Sequence, residues 1–508
     1  MAQFGKKLAE AKIWLRLNME TLQRTANRGS VSTGDDIDNS LKFEADNTEK
    51  LSRSQTTGTN RKKFTVSFWV KRTEITSTYM VLAIAESSGN DISFLDFEAD
   101  DVLRFRDTAG GSNQCILETN RKFRDTSAWY HIVLRVDTTD GTADDRNRIY
   151  VNGVQETSFS ARTNFTQNDD TFWGYNGGNL TWGNALGEAN YYSGYTAEAV
   201  YVDGLSLAPT SFGEFDEDTG IWKPIDVSGL TFGNNGYYLD FKDSSNMGND
   251  ASGGTDFTET NIAAADQATD TPTNNFCTLM PPQASITGTA TVVSEGGTQM
   301  KGGSTSSQNA FGSIGVRKGK WYFESNVSNL GGVASYAFMF GVIAADRITA
   351  LNNGGGYYIG EIANTWGFTS NNRGSTGGTE NPNFPSETAT SGTTEVMGIA
   401  LDMDNGKIWV HKAGTYATNN SSVTGNPATG AAPQYDNLLT STDEHILVGG
   451  GVYTSNNSVQ RNMNFGNPMN ANFTGVGTHS DANGYGSFAY APPSGYYAIC
   501  TKNLAEYG

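Results

Sequence analysis

Two runs of alternating apolar and polar residues limit what this chain can fold into. Phe64-Thr-Val-Ser-Phe-Trp-Val70 leads to Trp129-Tyr-His-Ile-Val-Leu-Arg-Val136, and Gly319-Lys-Trp-Tyr-Phe-Glu-Ser325 leads to Ile399-Ala-Leu-Asp-Met-Asp404. Successive side chains of a strand point to opposite faces, so Phe64, Val66, Phe68 and Val70 share one face and Thr65, Ser67, Trp69 and Lys71 the other. The pattern predicts half-buried strands in two antiparallel β-sandwiches, an all-β fold class that points toward binding rather than chemistry. A chain of 508 residues exceeds what one core serves. Its 59 glycines and its charged fraction of only 18% fit a loop-rich β protein.

The net charge of −19 repels nucleic-acid phosphates and anionic lipid, which argues against both as partners. The first 30 residues run the other way: Lys6, Lys7, Lys12, Arg16, Arg24 and Arg28 against Glu10 and Glu20 make a net +4, leaving −23 elsewhere. Within them Phe4, Leu8, Ala11, Trp14, Leu15, Met19 and Leu22 fall on one helical stripe, and Leu8, Leu15 and Leu22 repeat at seven. A basic amphipathic helix over 4–27 is expected, ended by Gly29-Ser-Val-Ser-Thr-Gly34. It can pack on its own domain or anchor the chain to another protein. Charges interrupt its apolar residues too often for a signal peptide, so the chain is expected to be made in a cytoplasm and not to insert in a membrane. Cys115, Cys277 and Cys500 lack metal-ligand or disulfide spacing and read as free thiols.

From Asp35 to about Asp218 the strands come in an ordered series: Ser40-Leu-Lys-Phe43, Phe64-Thr-Val-Ser-Phe-Trp-Val-Lys71, Asp101-Val-Leu-Arg-Phe105, Trp129-Tyr-His-Ile-Val-Leu134, Arg148-Ile-Tyr-Val-Asn-Gly153, Tyr192-Ser-Gly-Tyr-Thr-Ala-Glu198 and Val202-Asp-Gly-Leu-Ser-Leu207. The series resembles the concanavalin A-like lectin/glucanase superfamily in its laminin G-like form. That resemblance implies a jelly-roll sandwich whose loops or concave face bind glycans or proteins. Farther on, Gly319-Lys-Trp-Tyr-Phe-Glu-Ser325, Phe340-Gly-Val-Ile343, Tyr357-Tyr-Ile-Gly360 with Trp366-Gly-Phe368 as a central pair, Met397-Gly-Ile-Ala-Leu-Asp402 and Asp404-Asn-Gly-Lys-Ile-Trp-Val410 resemble the SPRY domain, with unusually long loops at 369–395 and 414–437. Between them, Asp243-Ser-Ser-Asn246 and Thr269-Asp-Thr-Pro-Thr-Asn-Asn-Phe276 are similar to a recurring junction in structural proteins of tailed bacteriophages. The expected organisation is a helical anchor over 1–34, a laminin G-like sandwich over 35–218, a wrapping linker over 219–283, a SPRY-like sandwich over 284–469, and a C-terminal strand segment over 470–508 without helix.

Asp96, Glu98 and Asp100 alternate along one strand, and two carboxylates at such spacing are what a glycosidase needs. A charged outer strand face is the ordinary alternative. Phe172-Trp-Gly-Tyr175 with Trp182, Tyr191 and Tyr192 crowds a Gly/Asn-rich segment, so Trp173, Tyr175, Trp182, Tyr191 and Tyr192 are glycan-binding candidates, with core filling as their competing role. The laminin G resemblance also allows calcium on turn aspartates such as Asp137, Asp140, Asp144, Asp145 and Asp243, although no EF-hand spacing occurs and no cofactor is otherwise expected. The sequence as a whole reads as a non-enzymatic phage virion protein displayed on the particle surface. It would be a trimeric tail fibre or appendage subunit, anchored through Phe4, Leu8, Trp14, Leu15 and Leu22 to other virion proteins and contacting host-surface glycan or protein. A head-decorating protein and a glycan depolymerase using Asp96 and Glu98 are the alternatives.

Overall fold

The computed structural model describes residues 35–86, 90–185, 190–280, 292–301, 304–329, 338–352, 357–369, 374–381, 395–418, 423–438, 444–454, 460–467 and 479–508. The helix expected over 4–27, with Phe4, Leu8, Trp14, Leu15 and Leu22, lies outside these residues. So do residues 370–373 and 382–394 of the first long loop and 419–422 of the second.

The described chain is nearly all β, in two sandwiches, with one short helix, Ile348–Asn352, within the second and another after it. In the first, laminin G-like sandwich, one eight-stranded sheet centres on Tyr130–Asp137, Lys63–Arg72 and Gly194–Asp203, and its partner runs from Phe159–Thr163 through Ile92–Phe97 and Asn179–Trp182 to Thr258–Thr260. Phe64, Val66, Phe68 and Val70 face the partner sheet in one apolar core with Leu82, Leu95, Phe105, Leu117 and Leu134. Their register against Val136, Leu134, Ile132 and Tyr130 keeps that alternation in step across the sheet.

The other face of the Lys63–Arg72 strand departs from the half-buried expectation, because Thr65, Ser67, Trp69 and Lys71 are buried too. The covering layer comes from residues 205–276. Phe212 and Val227 pack on Val133, Val200 and Val202, while Trp222 and Ala268 close over Trp69, Trp129 and Tyr195. The segment expected as a linker also contributes strands: Tyr237–Leu239 pairs with Gly194–Asp203, Thr258–Thr260 with Lys50–Ser54, and Gln267–Ala268 with Ser40–Phe43. Residues 219–268 therefore belong to the first sandwich.

The second, SPRY-like sandwich stacks a seven-stranded sheet around Ser304–Val316, Ile446–Thr454 and Phe338–Ala344 on an eight-stranded sheet around Lys320–Asn329, Met397–Asp402 and Lys407–Lys412. Trp321, Phe323, Ile399, Leu401, Ile408 and Val410 supply its core. On the far side of that sheet, Glu324 lies fully buried and accepts from Tyr322 Oη, Asn464 Nδ2 and the backbone N–H groups of Ala489 and Tyr490. These bonds hold the C-terminal segment to the sheet. Burial pushes the Glu324 carboxyl up to about 6 against those four donors.

Tyr497–Ala498 adds the expected C-terminal strand, parallel to Lys320–Asn329. The chain then turns into a helix, Thr501–Tyr507, where none was expected. Seven residues are too few to display a helical stripe, and Leu504 and Asn503 alone are buried.

The 269–276 motif sits where both sandwiches meet this helix. Asp270 receives the Lys71 ammonium at 2.7 Å, both side chains fully buried, and the Trp129 indole N–H at 3.0 Å. Thr273 Oγ1 accepts from the N–H of Ile37 and donates to its carbonyl. Asn275 bonds Lys71, the Ser127 carbonyl and, through its own N–H, Thr501 Oγ1. Nearby, Lys42 contacts Glu295 at 2.9 Å and Asp266 at 3.1 Å, and Tyr195 Oη donates to the Gly296 carbonyl at 2.7 Å. The sandwiches are thus joined by buried polar groups whose desolvation is offset only in this one arrangement.

Candidate functional site

The outer face of the first sheet carries a stack of rings. Trp69 lies opposite His131 on the neighbouring strand, with ring centroids 4.6 Å apart and planes inclined by 26°. His131 stacks in turn on Trp222, at 5.9 Å and 23°. Trp222 arrives from a small hairpin, Gly213–Phe215 with Trp222–Pro224. The turn Asn152-Gly153 closes over it: both residues have positive φ, and a Cβ on Gly153 would stand 2.3 Å from the Trp222 ring. Only glycine allows that approach.

Ser67 Oγ and His131 Nε2 are 2.8 Å apart, the distance of a nucleophile and its base. The proton runs the wrong way for that chemistry. An indole N–H can only donate, and Trp222 Nε1 donates to His131 Nδ1 at 2.9 Å, so the neutral ring carries its proton on Nε2 and donates to Ser67. Full burial pushes the His131 pKa down to about 3, so the ring stays neutral. His411 is held alike in the second sandwich: Gly414 N–H donates to Nδ1, leaving Nε2 to face Tyr322 Oη.

Above this stack opens a cleft of about 510 Å³, within the range of small-molecule sites. Its floor is formed by the edges of Trp69, Trp129 and Trp222, each less than 10% exposed. Val154, at 55% exposure, and Phe215, at 49%, form its rim with Ile221 and Pro272. Arg121, Asn152, Asn275 and Thr501 supply its polar wall. The cleft is composite, drawing on the sheet, the Asn152 turn, the hairpin, the junction motif and the C-terminal helix.

The sequence-derived candidates lie elsewhere. Trp173 is core: it stacks on Phe64 at 4.7 Å and donates to Ser93 Oγ. Trp182 meets Phe68 edge-on and donates to Tyr237 Oη, and Tyr192 Oη donates to the Lys71 carbonyl. These three fill the sandwich, because large rings are what close the gap between its sheets, and they present no binding surface. Tyr175 is half-buried, its hydroxyl on Glu86 and its ring under Arg61. Tyr191 is also half-buried, and neither tyrosine lines the cleft.

Of the three alternating acids, only Asp96 stays within the Ile92–Phe97 strand. It is buried and clasped by Arg104 at 2.7 and 3.2 Å. Glu98 contacts the same guanidinium, and Asp100 stands 60% exposed beside Lys122. Burial raises Asp96 to about 7 despite Arg104, yet the cation fills the space between the two carboxylates that a glycosidic bond would need. The turn aspartates spend their oxygens locally: Asp137 on Thr139 and Lys63, Asp144 on Arg162 and Asn164, Asp243 on Ser245. Among the described residues no three His, Cys, Asp or Glu side chains are placed to hold a metal. All three cysteines are free and buried.

The concanavalin A-like lectin/glucanases superfamily, in its laminin G form, matches residues 43–204. Solved structures similar to the chain include a SAP-like pentraxin from Limulus polyphemus, at 19% identity over 34% of this chain and 80% of that one with a TM-score of 0.26. Domains LG4-5 of the mouse laminin α1 chain are similar at 10% identity over 85% and 89%, TM-score 0.29. The SPRY domain of human HERC1 is similar at 14% identity over 34% and 91%, TM-score 0.25. No curated protein sequence matches the chain.

Proposed function

We propose that this protein is a structural subunit of a tailed-bacteriophage particle, a fibre or appendage that holds a host-surface glycan in the cleft above Trp69, Trp129 and Trp222. The observation that carries the binding part is the convergence of Val154 and Phe215 on one concave, tryptophan-floored site, when only five large hydrophobics are exposed among the described residues. Aromatic and aliphatic surface receives the C–H face of a pyranose, and a few polar groups orient it. The particle assignment is supported by the sequence of the 269–276 junction and by the basic amphipathic N-terminus. Trimeric copies seamed through Leu8, Leu15 and Leu22 would multiply weak contacts into avidity. No covalent chemistry is proposed, since Arg104 occupies the one acidic pair that suggested it.

Two experiments test the two parts. On a panel of immobilised glycans, Phe215→Ala with Val154→Ser is expected to weaken the strongest interaction about tenfold or more, because each change removes apolar contact worth roughly 1 kcal/mol. Both sites are exposed, so the melting temperature should change little. Undiminished binding by the double variant sinks the cleft. For the particle assignment, deletion of residues 1–30 is expected to abolish incorporation into virions, and normal occupancy by the truncated chain removes the anchor.

A further inference from the structure

The polar groups of the cleft wall have an uneven balance of donors and acceptors. Asn275 is engaged at both ends, its Oδ1 accepting from Lys71 and one N–H of its Nδ2 donating to the Ser127 carbonyl. Asn152, which lines the cleft, accepts the backbone N–H of His131 on Oδ1 at 2.8 Å, and its Nδ2 has no partner among the described residues. Arg121 gives Nε to Glu156 at 2.8 Å, and both terminal nitrogens remain on a side chain 47% exposed. Thr501 Oγ1 accepts from the Asn275 N–H, and its own proton has no partner among the described residues. The three indole N–H groups point inward: Trp129 to Asp270, Trp222 to His131, and Trp69 buried beside Glu198. What the side chains still offer a ligand is therefore apolar surface and donors.

A plain hexose brings hydroxyls that must donate as well as accept, and the wall's side chains supply few acceptors for them. An acyl oxygen is a pure acceptor. From this we infer that the cleft selects a sugar carrying an acyl group, acetamido or carboxylate, whose oxygens take the free N–H groups of Asn152 and Arg121 while its C–H or methyl surface lies against Phe215, Val154 and the tryptophan edges. The inference rests on the glycan reading above and names the class of sugar that site takes. Acetamido and carboxylate share the acceptor chemistry, but a carboxylate also gains from the Arg121 charge, so the two sources separate experimentally.

The test is titration of the full-length protein, followed by its tryptophan fluorescence, with three tetrasaccharides of N-acetylglucosamine, galacturonic acid and glucose. One or both acyl sugars are expected to bind about tenfold or more tightly than the glucose tetramer. Asn152→Asp keeps the turn and the Oδ1 acceptor but replaces the donor with an acceptor, and should cost the acetamido sugar about tenfold. Arg121→Gln should cost the galacturonate at least as much while leaving the acetamido sugar within about threefold. If glucose binds as tightly as both others, the acyl selectivity is wrong and the glycan reading survives. If none of the three binds, the glycan reading falls with it.

Discussion

Replacing Asp270 with alanine is expected to cost about 3–5 kcal/mol of stability, because it strands a fully buried ammonium. Lys71 Nζ lies 2.7 Å from Asp270, with neither side chain exposed, and its remaining partners are Asn275 Oδ1 and the Phe276 carbonyl. Neither carries the compensating charge. Asp270 also accepts from Trp129 Nε1 and the Phe276 N–H, so both of these lose an acceptor. The double variant Lys71→Met, Asp270→Leu removes the charge together with its partner and should cost far less than either single change. Urea unfolding of the four proteins measures the cycle. An Asp270→Ala protein within about 1 kcal/mol of the parent would mean that the junction contributes nothing to holding the sandwiches. Trp129 and Asn275 line the cleft as well, so the same variant should lose saccharide affinity at temperatures where it is still folded.

The second large effect is a loss of stability toward alkaline pH, centred on the contact between the sandwiches. Glu44 and Glu49 are each about 2% exposed or less, near Glu74, Asp266 and Glu295, with Lys42 as the ammonium among them. Burial is the main cause that raises Glu44 to about 8 and Glu49 to about 7, with the neighbouring carboxylates adding to it and Lys42 opposing. Both folded values lie above the unfolded value near 4.5, so the folded state binds these protons more tightly. Their stabilisation is full below pH 4.5 and is lost as pH rises through 7 and 8. The two groups share Lys42 and titrate as a coupled set, for which about 3 kcal/mol between pH 5.5 and 8.5 is a reasonable scale. Asp96, Asp107 and Glu324 are raised too and act in the same direction. The informative quantity is therefore the difference between the parent and Glu44→Gln, Glu49→Gln. The double variant should have a shallower pH dependence over that window, and equal slopes would exclude the cluster as the cause.

The strands were legible because a period of two survives any tertiary context that buries one face. Ser40–Phe43 and Lys320–Asn329 fall where their alternation places them. What periodicity cannot say is whether the second face is also covered, and it was: Trp69 and Lys71, read as outward-facing, lie under the chain between 205 and 276. The same blindness misdirected the site. Trp173, Trp182 and Tyr192 sit among glycines and asparagines and so look like a binding loop, yet those small residues are the turns that let large rings enter the core. Phe215 and Trp222 escaped notice because their hairpin straddles the expected boundary at 218. Its signature, Asp216 with Thr219 and Gly220 forming a tight turn between two aromatic strands, was readable but local. The cleft itself joins residues from 69 to 501, and only the folded topology brings them together.

Where a bound saccharide sits is the most direct test of this account. A cryo-electron or crystal map of the protein with the tightest-binding oligosaccharide should place the sugar between Phe215, Val154 and the tryptophan floor, with an acyl oxygen on Asn152 or Arg121. Density for that sugar over residues 171–195, or over the SPRY-like loops at 369–395 and 414–437, with the cleft empty would contradict it.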